Sequence, residues 1–438
     1  DVCSSDLRDR TAASHAHATV PAMTWSTTRA TSLRTNQYAS VTGHRRDDGV
    51  NGSNTRYPAV SGNRAGVRPH TAAARTARWA SASTGRRVKL SRRGTHGGYF
   101  GGLWTNVSVY RDRMKSLMIH ELGSLDSLAV EDRPSPSLSD GQIRVKVAAC
   151  GLNYVDALMI EGRYQIKPAV PWCPGSEITG TIVECGPGVD ASMLGRRVFA
   201  PVGAGGFSDE VVTAANRVLP IPDSLTDGQG ATFMQSYLTA WFAFTRRTAQ
   251  EPGKTMLVLG AGGGVGLAAV DVGVSLGMRV IAAASTEEKR SLALDRGAFA
   301  AVDVLNDDVK AKVRELAGGG VDIVYDPVGG ELAEPCLRAL NANGQYMVVG
   351  FVAGIPRLPA NFVLLTNRTV VGVDWGAWVG RNQAENQAML REVMERIVAG
   401  TLRPVEPSRY PMSRAAGALR DLQNRKVAGK VALVPDFG

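Results

Sequence analysis

The sequence between Thr255 and Ser285 reads TMLVLGAGGGVGLAAVDVGVSLGMRVIAAAS and carries the strongest structural signal in the chain. An apolar strand is predicted at Met256–Leu259, a glycine-rich turn follows it, and an apolar helix ends at Gly277. A second strand is predicted at Arg279–Ala284. A strand, a glycine turn, a helix and a strand within about thirty residues are typical of a dinucleotide-binding unit. The segment therefore predicts a parallel, doubly wound sheet with a nucleotide site.

The glycine turn predicts a phosphate site at the start of the helix. Its register is Ala261-x-Gly263-x-x-Gly266, with an alanine where the strict pattern has its first glycine. Backbone N–H groups at a helix N-terminus attract an anion. A side chain at Gly263 or Gly266 would block the approach of a pyrophosphate or hold the helix off the sheet. The candidate cofactor-binding residues are Ala261, Gly263, Gly264, Val265 and Gly266.

The end of the second strand indicates which dinucleotide binds. Sites that prefer NAD place Asp or Glu about twenty residues after the glycines, where it binds the ribose 2′-hydroxyl. Here that place holds Ser285 and Thr286, and Lys289 follows closely. Because hydroxyl groups and an ammonium suit a 2′-phosphate, we expect NADPH, with Ser285 and Lys289 as contacts. The alternative for Lys289 is a solvent-exposed helix lysine.

Charge and composition divide the chain into two parts. The first 113 residues carry 17 Arg, 1 Lys, 6 Asp and no Glu, a net charge of +12, whereas the remaining residues carry −2. This leader is rich in Ser, Thr, Ala, Gly and Arg and shows no regular period, so we expect it to be disordered. A basic arm for nucleic acid and an organelle transit peptide are two interpretations of it.

We favour a third interpretation, in which residues 1–113 are an artefact of the gene model and the protein starts at Met114. The chain does not begin with Met, and its opening DVCSSDL resembles a sequencing adapter read in frame. The excess of Arg over Lys in the leader is typical of GC-rich DNA read in a wrong frame.

The residues after the leader are numerous enough for two domains. Residues 114–236 contain predicted strands separated by Pro and Gly turns, and residues 237–367 alternate strands with helices. Residues 368–438 contain the strand TVVGVDW, a helix and the strand GKVALV, and we expect them to return to the first domain. The predicted fold class is α/β, with the strand-rich part and the doubly wound part as separate domains.

The sequence also indicates compartment and partners. No apolar run reaches membrane-spanning length without Gly or charged interruptions, and no secretory signal precedes Met114. The cysteines after Met114 form no C-x-x-C pair, so we expect reduced thiols in a cytoplasmic protein. They are Cys150, Cys173, Cys185 and Cys336. We expect no membrane partner and no nucleic-acid partner, since the excess positive charge lies in the leader alone.

Four motifs resemble one family. Besides the glycine turn, GLNYVDALMIEGRYQIKP at 151–168, PGSEITGTI at 174–182 and LLTNRTVVGVDWG at 364–376 are similar to the medium-chain dehydrogenase/reductases. Within that superfamily they resemble the zinc-independent quinone oxidoreductases of the zeta-crystallin type. The resemblance covers Met114–Gly438. It implies a GroES-like catalytic domain built from both ends of that segment, an inserted Rossmann domain, and a homodimer.

Departures from the alcohol-dehydrogenase branch argue against a metal. Asn153 stands where that branch has a cysteine ligand, and Ser176 stands where it has a histidine ligand. Glu177 remains, but one carboxylate does not make a zinc site, which requires three protein ligands. The only histidine after the leader is His120, in the opening strand. We therefore expect no metal.

The resemblance places Asn153 and Tyr164 beside the nicotinamide as candidate catalytic residues. Tyr164 could donate a proton through its phenol, or it could be a lid aromatic that shapes the pocket. Asn153 could donate a hydrogen bond to the developing oxyanion through its amide and position the reactants, or it could only cap a helix that starts at Tyr154. The further cofactor contacts that the resemblance implies are Thr239, Gly350, Phe351 and Asn367. The alternative for Thr239 and Phe351 is a role in packing. Val304 replaces a tyrosine that binds the 2′-phosphate in many relatives, which weakens the prediction of NADPH.

The predicted function is an NADPH-dependent, metal-free reductase of quinones or other α,β-unsaturated carbonyl compounds. Without a metal, hydride transfer rests on positioning and electrostatics, which suits acceptors that are already activated. One alternative is an enoyl-thioester reductase that acts on acyl-CoA. Another is a binding protein that holds NADPH with little turnover, since some relatives serve as structural or RNA-binding proteins.

Overall fold

The computed structural model describes residues 113–248 and 251–437. The predicted leader lies outside the described residues except for Arg113. The strands are β1 (Arg113–Met118), β2 (Ala129–Pro134), β3 (Gln142–Leu152), β4 (Glu177–Cys185), β5 (Arg197–Pro201), β6 (Glu210–Ala214), β7 (Leu219–Pro220), β8 (Thr255–Leu259), β9 (Arg279–Ala284), β10 (Ala300–Asp303), β11 (Val321–Asp326), β12 (Leu340–Val348), β13 (Thr369–Gly372), β14 (Ser408–Pro411) and β15 (Val431–Val434). The α-helices are α1 (Tyr154–Ile160), α2 (Asp227–Thr232), α3 (Met234–Arg246), α4 (Gly264–Ser275), α5 (Glu287–Asp295), α6 (Val309–Ala317), α7 (Ala333–Ala339), α8 (Ala360–Leu364), α9 (Trp375–Val379), α10 (Gln383–Val398) and α11 (Ala415–Gln423).

Six parallel strands form the predicted nucleotide-binding sheet, in the order β10-β9-β8-β11-β12-β13. This is the doubly wound order of Rossmann domains. Helices cover both faces of the central strand β8. Met256 and Val258 join a core with α3, α4 and α10, whereas Leu257 and Leu259 join a core with α6 and α7. Because successive residues of a strand point to opposite faces, a strand covered on both sides must be apolar throughout, as β8 is.

The second sheet is mixed and has the order β14-β15-β3-β4-β5-β7, with β6 also paired to β3. Its eleven-residue strand β3 pairs antiparallel with β4, β6 and β15. Buried side chains of this sheet, such as Ile143, Ile178 and Leu433, share one core with Leu419 of α11. Because β14 and β15 lie near the C-terminus, this GroES-like sheet is built from both ends of the described chain, as expected.

The domain boundary predicted after Asn367 is placed too early. β13, which follows it, pairs in parallel with β12 and so belongs to the nucleotide-binding sheet. The next long helix, α10, packs on α3 in the core of the same domain through residues such as Met389 and Val393. The chain returns to the GroES-like sheet only from Ser408, where β14 begins. The sequence shows that TVVGVDW is a strand, but the pairing partner of a strand depends on contacts far away along the chain.

The described helices are short in comparison with a bilayer. The longest, α10, has 16 residues and carries charged residues along its length. A transmembrane helix needs about 20 predominantly apolar residues. None of the helices within residues 113–248 and 251–437 is long and apolar enough to cross a membrane.

Candidate active site

The glycine turn joins the end of β8 to the start of α4. Gly263 is the N-cap residue, and α4 begins at Gly264. A Cβ atom on Gly266 would overlap the carbonyl oxygen of Gly260, so this glycine lets the helix approach the strand closely. The N–H groups of the first helical turn have no partner inside the helix and carry the positive end of its dipole. The turn therefore forms a cradle for an anion.

Ala261 occupies the position where the strict motif has a glycine. Its N–H donates to the carbonyl oxygen of Ala283 in the neighbouring strand at 3.1 Å. Its side chain is fully buried in the core beneath the sheet, on the same side as α4. The methyl group therefore fills core space, and the alanine is compatible with the motif.

Two buried polar atoms at the start of α3 have no hydrogen-bond partner among the described residues. They are the hydroxyl of Ser236 and the side-chain oxygen of Gln235. The Ser236 hydroxyl oxygen lies 3.5 Å from the place that a Cβ atom on Gly264 would take. Buried polar groups are nearly always paired, so an unpaired hydroxyl at a phosphate cradle fits a site completed by a ligand.

The carboxyl end of β9 presents hydroxyl and cationic groups. Ser285 is half-buried just after β9, and Thr286 caps α5 by accepting the N–H of Lys289 at 3.3 Å. The stem of Lys289 lies against Gly262 of the glycine turn, and its ammonium donates to the carbonyl oxygen of Arg425 at 2.6 Å. Burial and the nearby Arg425 guanidinium lower the pKa of Lys289. Two cations thus lie where a 2′-phosphate is expected.

Arg425 was not predicted from the sequence. It follows α11, and its backbone has a positive φ of 58°. It lies 136 residues from Lys289 along the chain, and no motif surrounds it. Only the return of the C-terminal segment to the glycine turn brings it to the site.

Four polar side chains meet where the GroES-like sheet faces the glycine turn. The Asn153 amide nitrogen donates to Glu177 at 2.9 Å, and the Lys430 ammonium donates to the Asn153 side-chain oxygen at 2.6 Å. The Lys430 ammonium lies 3.9 Å from the Glu177 carboxylate, whose other oxygen accepts the N–H of Gln235 at 3.2 Å. All three of these side chains are buried. Burial raises the pKa of Glu177 and lowers the pKa of Lys430, and each charge opposes the shift of the other.

Asn153 is also the N-cap residue of α1, as one interpretation predicted. Its backbone N–H donates to the carboxylate of Asp156 at 2.8 Å. Asp156 is the fourth member of the buried group, and burial raises its pKa to about 7. Asp156 therefore orders the start of the helix, while the side chain of Asn153 turns towards Glu177 and Lys430.

Tyr164 lies on the loop after α1. Its N–H donates to the carbonyl oxygen of Leu158 at 3.1 Å, which folds the loop back along the helix. The ring is half-buried, and burial together with the nearby carboxylate of Asp374 raises the pKa of its phenol. Asp374 caps α9 of the nucleotide-binding domain. Tyr164 of the GroES-like domain therefore lies near the start of α9 in the other domain.

The chain is similar to known families and proteins along both domains. A family model described as alcohol dehydrogenase GroES-like domain matches residues 139–223, and one described as zinc-binding dehydrogenase matches residues 264–396. The chain is 35% identical over 332 residues to a quinone oxidoreductase-like protein 2 homolog of Nematostella vectensis, with 74% of this chain and 89% of the relative covered. The chain belongs to the quinone oxidoreductase family of medium-chain dehydrogenase/reductases. Human quinone oxidoreductase is 30% identical over 325 residues, with 73% of this chain and 98% of the relative covered.

Solved structures of the quinone oxidoreductase family share this fold. A mycobacterial protein solved in complex with NADPH matches with a TM-score of 0.66 and 29% identity, covering 74% of this chain and 100% of that chain. A quinone oxidoreductase of Pseudomonas syringae pv. tomato matches with a TM-score of 0.67 and 25% identity, covering 74% and 100%. The predicted family, the α/β fold class and the oxidoreductase class of the enzyme are confirmed.

One matching family model is described as zinc-binding dehydrogenase, so the residues at the zinc-ligand positions of the alcohol-dehydrogenase branch bear on whether a metal could bind. Asn153 and Ser176 bear an amide and a hydroxyl, and both oxygens of the Glu177 carboxylate accept hydrogen bonds from protein groups. Within the described residues, no group of three or more His, Cys, Asp or Glu side chains is arranged to hold a metal ion.

Of the further contacts that the family resemblance implies, Gly350 and Phe351 lie at the edge of the sheet that carries the glycine turn, and Thr239 lies within α3. Gly350 and Phe351 follow β12 at the carboxyl edge of the parallel sheet, the edge at which β8 enters the glycine turn. Thr239 lies in α3, where its hydroxyl donates to the carbonyl oxygen of Gln235 at 2.6 Å. The Thr239 hydroxyl is therefore already used within its own helix.

The structure does not bring Asn367 to the glycine turn. Asn367 precedes β13, whose first residue pairs with Gln345 of β12. Through β11, Gln345 is level with Met256 near the start of β8. Because a strand rises about 3.3 Å per residue, Asn367 lies more than about 10 Å from the turn along the strand direction. The motif around Asn367 does not reveal which edge of the sheet it occupies, and we leave it out of the proposed site.

Proposed function

We propose that this chain is an NADPH-dependent reductase that transfers hydride to quinones or other α,β-unsaturated carbonyl compounds without a metal. The observation that carries the proposal is that the phosphate cradle adjoins the four buried polar side chains Asn153, Asp156, Glu177 and Lys430. Lys430 lies against Gly264 at the start of α4 and reaches Asn153, and the N–H of Gly429 donates to the Gly262 carbonyl oxygen at 2.8 Å. A dinucleotide on the cradle would therefore have its reactive end close to polar groups of the GroES-like domain.

The residues around the glycine turn fit NADPH. The N–H groups of Gly264, Val265 and Gly266, with the unpaired hydroxyl of Ser236, would bind the pyrophosphate. Lys289 and Arg425, with the hydroxyl of Ser285, would bind the 2′-phosphate. The bound cofactor supplies the hydride, and the protein orients it and keeps water away. A mycobacterial relative was solved in complex with NADPH, which supports the same cofactor here.

The chemistry of the side chains favours a reaction without a metal. Neutral amide and hydroxyl groups at Asn153 and Ser176 are poor substitutes for the thiolate and imidazole ligands of zinc enzymes. The Glu177 carboxylate is already satisfied by Asn153 and Gln235. An acceptor must then be electron-poor before it binds, as a quinone or an enone is. Asn153 would position the reactants, and Tyr164 would shape the pocket above them.

The loop after β12 supports an apolar acceptor. It reads FVAGIP from Phe351, and its side chains are exposed to an unusual degree, with Phe351 at 45% and Ile355 at 78%. The loop is held by backbone hydrogen bonds, since Ala353 donates to Val328 and Gly330 donates to Gly354, both at 2.8 Å. Apolar groups exposed beside a candidate site favour a ligand with hydrocarbon or aromatic surface.

We also propose that two copies of the chain form a homodimer through β13. The family resemblance implies the same oligomeric state. β13 is the last strand at its edge of the described sheet. Val370 of β13 is 42% exposed, and Leu364 and Leu365 beside it are 76% and 74% exposed. An exposed apolar edge strand is a template for pairing with another chain.

An acceptor panel tests the proposed reaction. The protein would be incubated with NADPH or NADH and with benzoquinones, naphthoquinones, enones and an enoyl-CoA, and oxidation of the cofactor would be followed by absorbance. We expect turnover of quinones or enones with a preference for NADPH. Turnover of the enoyl-CoA alone would support the thioester alternative. NADPH binding without turnover of any acceptor would favour a binding protein.

A further inference from the structure

We propose that Lys430 and Glu177 are positioning residues that fix the side-chain amide of Asn153 relative to the glycine turn. The inference rests on the proposed function for its consequence in catalysis, but the contacts that carry it are independent of any substrate. Lys430 contacts the amide oxygen, and Glu177 contacts the amide nitrogen. Both are buried, so neither exchanges its partner freely with water.

The chemistry of the two ions selects one orientation of the amide. An ammonium only donates hydrogen bonds, whereas an ionised carboxylate only accepts them. The Glu177 carboxylate receives N–H groups from both Asn153 and Gln235, which matches an ionised acid. Rotating the Asn153 amide by half a turn would place its NH2 group against the ammonium and its oxygen against the carboxylate. Both contacts would be lost, so Lys430 and Glu177 hold one of the two orientations.

Each ion is also anchored to the part of the structure that forms the phosphate cradle. The residue before Lys430, Gly429, forms a backbone bridge with Gly263, and the Lys430 stem lies against Gly264. Glu177 is tied through Gln235 to the start of α3, beside the unpaired hydroxyl of Ser236. Asn153 is therefore held from two sides by groups whose own positions follow the glycine turn. Lys430 and Glu177 therefore link the position of the glycine turn to the orientation of the Asn153 side chain, which the proposed function places beside the reactants.

The test uses variants of this pair and a matched surface pair. Lys430→Met removes the donor to Asn153 and leaves Glu177 without its cation, while Lys430→Gln keeps a donor of smaller reach. The double variant E177Q/K430M removes both charges, so that a loss of stability from an unpaired buried charge is avoided. The controls are K312M and E315Q/K312M, which alter an exposed pair on α6 whose ammonium and carboxylate lie 3.0 Å apart.

Three measurements separate positioning from charge neutralisation. Protein labelled with 15N-asparagine gives side-chain amide signals, and N153D identifies the signal of Asn153. NADPH affinity is measured by cofactor fluorescence, and kcat is measured with an acceptor that the parent protein reduces. We expect K430M and E177Q/K430M to displace the Asn153 signal and to lower kcat about 10- to 100-fold, the usual effect of a reacting group misplaced by about 1 Å. K430Q should recover part of both, and the controls should change neither.

Some outcomes would overturn the proposal. If the Asn153 signal of E177Q/K430M stays at the position of the parent signal, the pair does not orient the amide. If kcat of that double variant equals that of the parent, Lys430 only neutralises Glu177. If the parent protein reduces no acceptor, the proposed function fails, but the amide signal still decides whether Lys430 and Glu177 position Asn153.

Discussion

Asp156 is a carboxylate that the fold makes easier to protonate. Burial raises its pKa from 3.8 to about 7, although its oxygen accepts the backbone N–H of Asn153. The folded protein therefore holds a proton on Asp156 over a range of pH in which the unfolded chain has lost it. Stability should fall as pH rises from about 4 to about 7 and then level off, by an amount on the order of 4 kcal/mol for a shift of this size.

Asp156→Asn should remove this dependence. An asparagine oxygen can still accept the N–H of Asn153, so the start of α1 remains capped, but the group no longer titrates. We expect the variant to match the parent near pH 4 and to be more stable than the parent at pH 8. Urea denaturation of both proteins between pH 4 and pH 8 measures the difference. If the free energies of unfolding of the two proteins change in parallel with pH across this range, Asp156 does not titrate there.

Tyr164 is expected to act through its ring. Because burial and the nearby Asp374 carboxylate raise its pKa, the phenol stays protonated at neutral pH. Tyr164→Phe should leave kcat close to that of the parent. Tyr164→Ala should raise the KM for the acceptor about 10-fold or more, the usual effect of losing apolar contact in a pocket. A large fall in kcat with Tyr164→Phe would instead identify Tyr164 as a proton donor.

At the same scale, sequence analysis named some members of the proposed site and missed others. Asn153 lies within a motif and could be named as a candidate, whereas Glu177, in a second motif, was considered only as a zinc ligand. Lys430 and Arg425 lie in the C-terminal segment, where a lysine or arginine has no local pattern that distinguishes it from a surface cation. Their role depends on the return of the chain to the glycine turn, which is a non-local contact.

The junction of β8 and α4 depends on the close approach of helix to strand. Gly266→Ala would place a methyl group against the carbonyl oxygen of Gly260, so the helix or the turn must move. We expect a loss of about 1–3 kcal/mol in the free energy of unfolding, typical of overpacking, and weaker NADPH binding. Urea denaturation and cofactor fluorescence measure the two effects.

Gly417→Ala is the matched control for this substitution. Gly417 lies within α11, and no atom lies within 4 Å of the place its Cβ would take. Alanine in a helix interior is more favourable than glycine by roughly 0.5–1 kcal/mol, so this variant should be more stable and should bind NADPH as the parent does. Equal stability of Gly266→Ala and the parent would contradict the close packing that we describe.

The tip of β9 and the segment after α11 together should set the cofactor preference. Arg425→Gln removes one cation from the proposed 2′-phosphate site, which should weaken NADPH binding about 10- to 100-fold, since a hydrogen bond to a charged group contributes roughly 1.5–3 kcal/mol. NADH binding should not change. Arg409→Gln, at an exposed pair with Glu406, is the control. Equal losses for NADPH and NADH would show that Arg425 does not contact the 2′-phosphate.

Elements with strong local patterns were predicted well. The apolar run of β8, the glycine turn, α4 and β9 all lie where the sequence placed them. The strand β10 was missed, because Ala300–Asp303 is four residues long and only weakly apolar. Short strands of this kind are defined by their neighbour, here β9, and not by their own sequence.

For the molecule as a whole, the main difference from the sequence prediction is the partner of the segment after Asn367. This segment was expected to return to the GroES-like domain, yet β13 extends the nucleotide-binding sheet and only β14, α11 and β15 return. The family resemblance correctly implied that both ends of Met114–Gly438 build the GroES-like domain. It could not locate the residue at which the chain leaves the nucleotide-binding domain, because strand pairing between distant residues leaves no local pattern.

We predict that the exposed edge strand β13 forms the interface of a dimer. Val370→Lys places a charge on the proposed interface, which should prevent pairing of two edges and yield a monomer. Leu305→Lys, at an exposed leucine after β10 at the other edge of the sheet, should leave the dimer intact. Sedimentation equilibrium over a range of concentrations measures both. A parent protein that is monomeric at all concentrations would contradict the proposed dimer.

The central claim is that hydride passes from NADPH to an activated acceptor on this protein. The most direct test is to supply NADPH deuterated at one or the other position of nicotinamide carbon 4, together with an enone, and to analyse the reduced ketone by mass spectrometry. We predict that one of the two deuterated cofactors, and not the other, transfers its deuterium to a carbon of the product. Bound NADPH that transfers deuterium to no enone and reduces no quinone would contradict the account.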